Sequence, residues 1–275
     1  MNFRASSIAP LFLGTDGLTD TQMATLEKHL TRHKAWQIET DDKAKKKLEL
    51  TQNMLDEMAT LTESLAKFNR GEIELSKGAK TYIEKLVDKS DGFYAYKSYI
   101  SNKETAKGTS EEDECIELYN RIKFTDHKKL VEGDKYYELS HNHVIGHPDI
   151  VCELTKTVKD AKSSWNKETF PKRPVYDGTY EWQVKSYLYM MIGMTEDPSW
   201  RNGEVFHGLV DTPEELVPDW EDDSMHVMSN VPDNMRLTVS SFGLTDSEIA
   251  HMDRRINAAL KYADKYRLEL LNKNK

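Results

Sequence analysis

Only two cysteines occur in the chain, Cys115 and Cys152, too few for a disulfide framework or for an iron–sulfur cluster held by four thiolates. Both sit among apolar residues, which fits buried thiols in a reducing compartment. No run approaches the roughly 20 apolar residues that a membrane-crossing helix needs. The apolar stretch at 8–13 is short, contains Pro10 and lacks a basic flank or a small-residue cleavage site, so neither an anchor nor secretion is expected. Basic charge is not in excess: 38 Lys and Arg against 47 Asp and Glu leave a net charge of −9. That argues against a protein coating nucleic acid without specificity, yet leaves room for a basic groove beside clustered carboxylates. No internal repeat is present. The expectation is a soluble intracellular protein with one large core, or a core plus an appendage.

The chain divides by composition. Residues 18–88 read as helical: Thr19-Asp20-Thr21-Gln22 is a cap pattern opening a helix at about 18–36, and Leu and Met recur at helical spacing over 48–68. The charged run at 41–47 reads as solvated helix or loop. Residues 89–107 are rich in Tyr and then polar. Strands are expected at about 134–145, 149–154, 157–162, 204–210 and 235–241, with helices at about 108–123, 178–193 and 245–271. This order predicts a mixed sheet covered by helices on both faces, with residues 1–104 as an N-terminal segment and helical region and 105–275 as the core. The acidic, Pro-containing stretch at 213–233 is expected to be an exposed loop, with Trp220 either a contact residue or a cap over the core.

Residues 138–153 read as a hairpin broken at Gly146-His147-Pro148, and residues 157–162 as a short strand ending in polar residues. Alternation along that strand puts Asp160 and Lys162 on one side, roughly 7 Å apart. Asp149, eleven residues before Asp160, supplies a second carboxylate. Such a set can hold a hard cation and a water. Asp149 and Asp160 are the natural ligands, the Ala161 carbonyl can complete the shell, and Lys162 can orient the water or stabilise developing charge. A surface hairpin with an ordinary Asp/Lys pair is the competing reading, because charged residues make up 31% of the chain and Asp-x-Lys alone carries no weight. The strand-end Pro148-Asp149 is what tips the balance.

Glu112 precedes Cys115, Ile116 and Tyr119 by three, four and seven residues, on the inward stripe of its helix. A carboxylate there needs a partner, and a metal is one; a helix-start Glu favoured by the macrodipole is the alternative, and Glu111 and Glu114 compete for the role. Tyr180, Gln183 and Tyr187 share one face of the next helix, with Trp182, Val184, Leu188, Met190 and Met191 as core. Gln183 can hold a water or a phosphate and Tyr187 can stack or hydrogen-bond, against the plainer options of a helix-margin Gln and a core Tyr. His141, His143 and His147 invite a zinc reading, but no fourth ligand follows at recognisable spacing. Of the three, His147 beside Asp149 is the candidate substrate contact.

In these residues the chain resembles the PD-(D/E)xK nucleases, and within them the branch of the phage lambda exonuclease and the RecB-like enzymes. Pro148-Asp149 and Asp160-Ala161-Lys162 stand as that family writes its signature, with Asp160 where the lambda enzyme has Glu. Residues 108–119 are similar to the helix that opens the family's core, whose Glu four residues after a Gly reaches the metal; here that is Glu112. Gln183 and Tyr187 match the Gln-x-x-x-Tyr helix behind the active site, and Arg4-Ala5-Ser6-Ser7 looks like the segment approaching the DNA end. The resemblance covers residues 1–12 and about 105–190. Its middle motifs are specific in combination, and the first is not.

The resemblance implies an α/β, restriction-endonuclease-like core, a mixed central sheet flanked by helices in the order αβββαβ, with a helical N-terminal region. It implies a DNA exonuclease using Mg²⁺, or Mn²⁺ in its place, held by Asp149, Asp160, the Ala161 carbonyl and Glu112. Lys162 completes the catalytic set, and Gln183, Tyr187, Arg4, Ser6 and His147 face the substrate. Such an enzyme digests linear duplex DNA from the 5′ end in a bacterial or phage-infected cytoplasm, leaving single strand for an annealing protein in recombination. It works as a ring of three subunits or, as the alternative, as a monomer whose 18–88 helices clamp DNA. A restriction-like or structure-specific endonuclease and a non-catalytic DNA-end binder are the rival classes. No sequence-reading domain supports the restriction version, and intact Asp149, Asp160 and Lys162 count against the end binder. Polarity, DNA against RNA, and one metal against two stay open.

Overall fold

Helix starts follow from caps written into the sequence. After β1 (Phe3–Arg4) and the short α1 (Ala9–Phe12), the Thr19 hydroxyl accepts from the Gln22 amide at 3.2 Å, and the Gln22 side chain accepts from the Thr19 amide at 2.9 Å. This reciprocal cap opens α2 (Asp20–Ile38). Asp41 caps α3 (Asp42–Leu48), Thr51 caps α4 (Gln52–Asn69) and Ser76 caps α5 (Lys77–Asp91). The Arg32 guanidinium donates to the carbonyls of Lys47, Leu48 and Glu49 at 2.9–3.0 Å, tying the end of α3 back to α2. Helices α2, α3 and α4 pack chiefly on one another, around Leu26, His29 and Leu61, as an arm. At its base Gly17 lies against the Phe68 ring.

The structure is a computed structural model that describes residues 1–14, 16–92, 94 and 102–273, so part of the Tyr-rich segment lies outside the described residues. The single helix expected at 108–123 is two: α6 (Lys103–Ser110), capped by Asn102, and α7 (Glu112–Lys123), separated by Glu111 at φ −104° and ψ 11°. The cause is tertiary. Lys107 is buried, and its ammonium donates to the carbonyls of Ser164, Trp165 and Val210 and to the Thr212 hydroxyl at 2.7–3.0 Å, which pins α6 in its own direction.

Strands β2 (Leu139–His141) and β3 (Val144–Gly146) form a hairpin, and β1 joins β3 in parallel. The hairpin thus turns at Asn142–His143, both at positive φ (43° and 65°), and not at Gly146-His147-Pro148 as expected. Asn and His tolerate the left-handed region better than most residues. Gly146 serves close packing instead: a Cβ there would lie 2.7 Å from the Tyr187 ring and 2.9 Å from Ala5. The chain then crosses to a second, mixed sheet in the order β4 (Ile150–Cys152), β5 (Thr157–Ser163), β6 (Asn202–Gly208), β7 (Leu237–Gly243). Strands β5 and β6 are parallel, joined through α8 (Gly178–Thr195); the other pairs are antiparallel. This is the expected mixed central sheet, and β1–β3 form a second, smaller one.

Helix α8 lies between β1–β3 and the large sheet, which is why it is apolar nearly all round. Helix α7 covers the other face of the large sheet, packing Cys115, Leu118 and Tyr119 with Ile150 and Phe206. Helix α9 (Asp246–Lys273) packs on α5 and α1. Cys115 is buried, but Cys152 is partly exposed, so its expected apolar enclosure does not form. Trp220 is 84% exposed, so it is no cap over the core, and the Lys103 ammonium lies 5.9 Å over its ring. Among the described residues no helix is long and apolar enough to cross a membrane.

Candidate active site

Strand alternation sends Asp160 and Lys162 to the α8 face of β5, and Lys159 and Ala161 to the α7 face. Asp160 is buried. Gln183 Nε2 donates to its Oδ1 at 2.8 Å and to the Tyr187 hydroxyl at 2.9 Å, and that hydroxyl lies 3.5 Å from the same Oδ1. Gln183 and Tyr187, expected to face substrate, thus stand behind Asp160 and fix its carboxylate. Burial, then the Asp160 charge, raises the Tyr187 phenol well above its ordinary value, so it stays a donor. Asp160 Oδ2 is buried and is ion-paired to the Lys162 ammonium.

Asp149, just before β4, turns its carboxyl to the neighbouring strand, where Oδ2 accepts from the Ala161 amide at 2.6 Å. An extended residue presents its N–H and C=O on the same side, so the Ala161 carbonyl also faces the Asp149 edge. Glu112, the first residue of α7, hydrogen-bonds with Asp149 and pairs with the Lys129 ammonium at 2.8 Å. Glu114 has Asp211, Glu111 and Arg236 as charged neighbours, which leaves Glu112 as the helix-start carboxylate that meets Asp149.

Burial above all, then the charges of Asp160 and Glu112, holds the Asp149 carboxyl well above the usual carboxylate range. Burial opposes the Glu112 charge too, but hydrogen bonds with Asp149 and Lys129 outweigh it and hold Glu112 below its ordinary value. The two carboxyls thus perturb each other in opposite directions, Asp149 upward and Glu112 downward. Burial would lower the Lys162 ammonium, but Asp160 and Asp149 outweigh it and raise it.

Two clefts meet at Asp149 and Lys162. One, of about 360 Å³, has Arg4, Ser6 and His147 along its wall, with Asp160, Gln183 and Tyr187 also lining it. Pairing of Arg4 with Ile145 brings β1 there, and the exposed His147 ring stacks on Tyr137 at 5.0 Å. The other, of about 380 Å³, runs between Glu112 and the α6 residues Thr105 and Thr109. The predicted residues are thus brought into one region, with Glu112 on the far side of Asp149. The three histidines do not converge: His141 packs on Tyr189, and His143 Nδ1 lies 3.2 Å from the Met1 carbonyl. A larger cavity of about 620 Å³, lined by Gly17, Lys67 and Lys80 among others, lies at the base of the arm, away from these carboxylates. Chemistry, not volume, selects the site.

Lys129, Tyr137, Glu138 and His207 adjoin the site without having been singled out. Period-two alternation along residues 202–208 was the available signal for His207, but only the β5–β6 register sets it beside Lys162. The donor set is one of hard oxygens, a buried Asp160 carboxylate beside a crowded Asp149, and it fits a small divalent cation. Among the described residues no three His, Cys, Asp or Glu side chains are grouped so that they could together hold a metal ion, so an ion here would take fewer side chains and fill much of its shell with water, as Mg²⁺ prefers.

The core runs α7, strands, α8, β6, with Asp149 and Asp160 side by side, at the start of β4 and on β5, and is restriction-endonuclease-like in fold. In particular, the chain has the fold of a phage-related exonuclease from Haemophilus somnus 129PT. The two are 21% identical, with a TM-score of 0.61 over 76% of this chain and 90% of the other. An alkaline exonuclease from Laribacter hongkongensis is more distant, at 14% identity and a TM-score of 0.47 over 74% and 87% of the two chains. Its complex with dAMP gives 16%, 0.46, 72% and 86%. No protein-family model matches the sequence, and no curated protein does.

Proposed function

We propose that this chain is a divalent-metal-dependent deoxyribonuclease that digests linear duplex DNA from an end, 5′ to 3′, leaving single strand for an annealing or recombination protein. The carrying observation is the buried Asp160 carboxylate, held between Gln183 and Lys162 and next to the crowded Asp149 in an open cleft. Asp149, Asp160, the Ala161 carbonyl and Glu112 would hold Mg²⁺, or Mn²⁺ in its place. The bound ion would neutralise phosphate charge and lower the pKa of an attacking water. Lys162 stabilises charge developing on the phosphate. Gln183 and Tyr187 keep Asp160 aimed, and Arg4, with its forked donors, grips a phosphate beside Ser6 and His147.

An end-dependent enzyme separates from an endonuclease by substrate form. With Mg²⁺, end-labelled linear duplex is expected to be consumed while covalently closed circles survive. Prompt linearisation of the circles would reject the exonuclease reading. For a ring of three subunits, light scattering is expected to give about three times the chain mass of 31.8 kDa; the mass of one chain together with distributive digestion would reject the ring.

A further inference from the structure

His207 is a polar side chain in a place that apolar packing would fill. It lies on β6, in register with Lys162 on β5, and both side chains face α8. It is 7% exposed, and its buried Nδ1 has no hydrogen-bond partner among the described residues. Tyr180 meets the ring edge-on at 5.4 Å. On the other side its register partner Thr238 gives its hydroxyl to the Pro171 carbonyl at 2.5 Å. An orphaned buried nitrogen costs stability, and a leucine or methionine would not carry that cost.

The reason lies one strand away. Asp160 Oδ1 is engaged by donors from both Gln183 and Tyr187, which leaves Oδ2 the better placed oxygen for a cation, and Oδ2 is held by the Lys162 ammonium. A divalent ion and an ammonium cannot share that oxygen without strong repulsion. Lys162 must therefore withdraw when Asp160 serves as a ligand, and an ammonium leaving a buried ion pair needs another acceptor. We propose that His207 is a positioning residue whose Nδ1 receives the Lys162 ammonium when Asp160 Oδ2 is given over to a divalent cation. Burial first, then the neighbouring Lys162 charge, brings the imidazole pKa down to about 4, so it is neutral at working pH and its lone pair is available. The role requires the tautomer with hydrogen on Nε2.

This inference rests on the metal-dependent nuclease reading, and the test separates the two. Ca²⁺ binding is followed by calorimetry on the full chain, and thermal stability is measured without metal. His207→Leu is expected to weaken Ca²⁺ binding about tenfold, roughly 1.4 kcal/mol, while the metal-free protein melts no lower than wild type. His207→Asn, which returns an acceptor near Nδ1, is expected to recover most of the affinity. In a Lys162→Met background, His207→Leu is expected to change affinity little, because there is no ammonium to receive. Unchanged affinity in His207→Leu, affinity and melting temperature falling together, or an undiminished effect in the Lys162→Met background would each overturn the role. A wild-type chain that binds Ca²⁺ but cleaves no DNA rejects the nuclease reading and leaves the Lys162–His207 coupling measurable; one that binds no divalent cation rejects both.

Discussion

Asp149→Asn is expected to lower DNA cleavage by about a thousandfold or more, roughly 4 kcal/mol of lost transition-state stabilisation, while making the metal-free protein more stable at neutral pH. The activity loss follows from removing a charged ligand from a cation site. The stability gain follows from the setting of the carboxyl. Burial first, then Asp160 and Glu112, holds Asp149 well above the usual carboxylate range. The native state therefore binds that proton more tightly than the unfolded chain does. Stability is greatest below the unfolded pKa and declines as pH rises through the window up to the raised folded value. An Asn has no proton to lose, yet its carbonyl oxygen can still accept from the Ala161 amide, which now meets Oδ2 at 2.6 Å. Urea titrations of wild type and variant, without metal, are expected to diverge as pH rises. Parallel curves would remove the crowded-carboxylate account, and a variant cutting at the wild-type rate would remove the ligand assignment.

The second large effect is on folding. Lys107→Met is expected to destabilise the chain by about 3–5 kcal/mol, the usual cost of breaking a buried charge network by removing one partner. The lysine is 0% exposed and satisfies three carbonyls and one hydroxyl drawn from the ends of β5 and β6. Methionine fills similar space but leaves those acceptors facing an apolar group. Burial brings the ammonium pKa down to about 8, which still leaves it charged at neutral pH. The urea midpoint measures the effect, and a shift worth less than about 1 kcal/mol would mean that water replaces the ammonium. Cleavage should suffer at denaturant levels that spare wild type, because α6 forms one wall of the Glu112 cleft.

What could be read without coordinates was local or periodic. Asp160 and Lys162 are two apart on a strand, Gln183 and Tyr187 four apart on a helix, and Thr19 and Gln22 form a cap within one turn; each relation follows from backbone geometry alone. Helical spacing put Glu112 on an inward stripe, but its meeting with β4, like that of Arg4 with β3, spans most of the fold and came from resemblance. The misses are places where tertiary contacts override local preference. Helix α6 breaks from α7 because Lys107 is anchored far away. The hairpin turns on two non-glycine residues at positive φ, and the small sheet depends on β1, a strand of two residues. The contact of Gln183 and Tyr187 with the Asp160 carboxylate, in the cleft that all three line, likewise depends on how α8 meets β5.

The arm formed by α2, α3 and α4 has a topological consequence. The chain enters it after Gly17 and leaves it after Phe68, and at the base these residues touch: a Cβ on Gly17 would lie 2.9 Å from the Phe68 ring. From the standpoint of loop closure, the two ends are joined before the intervening helices are counted. Because closure entropy grows only with the logarithm of loop length, lengthening, shortening or replacing residues 20–66, with Gly17 and Phe68 kept, changes the cost of assembling the sheets very little. The arm can therefore diverge at its own pace while Asp149, Asp160 and Lys162 keep their geometry.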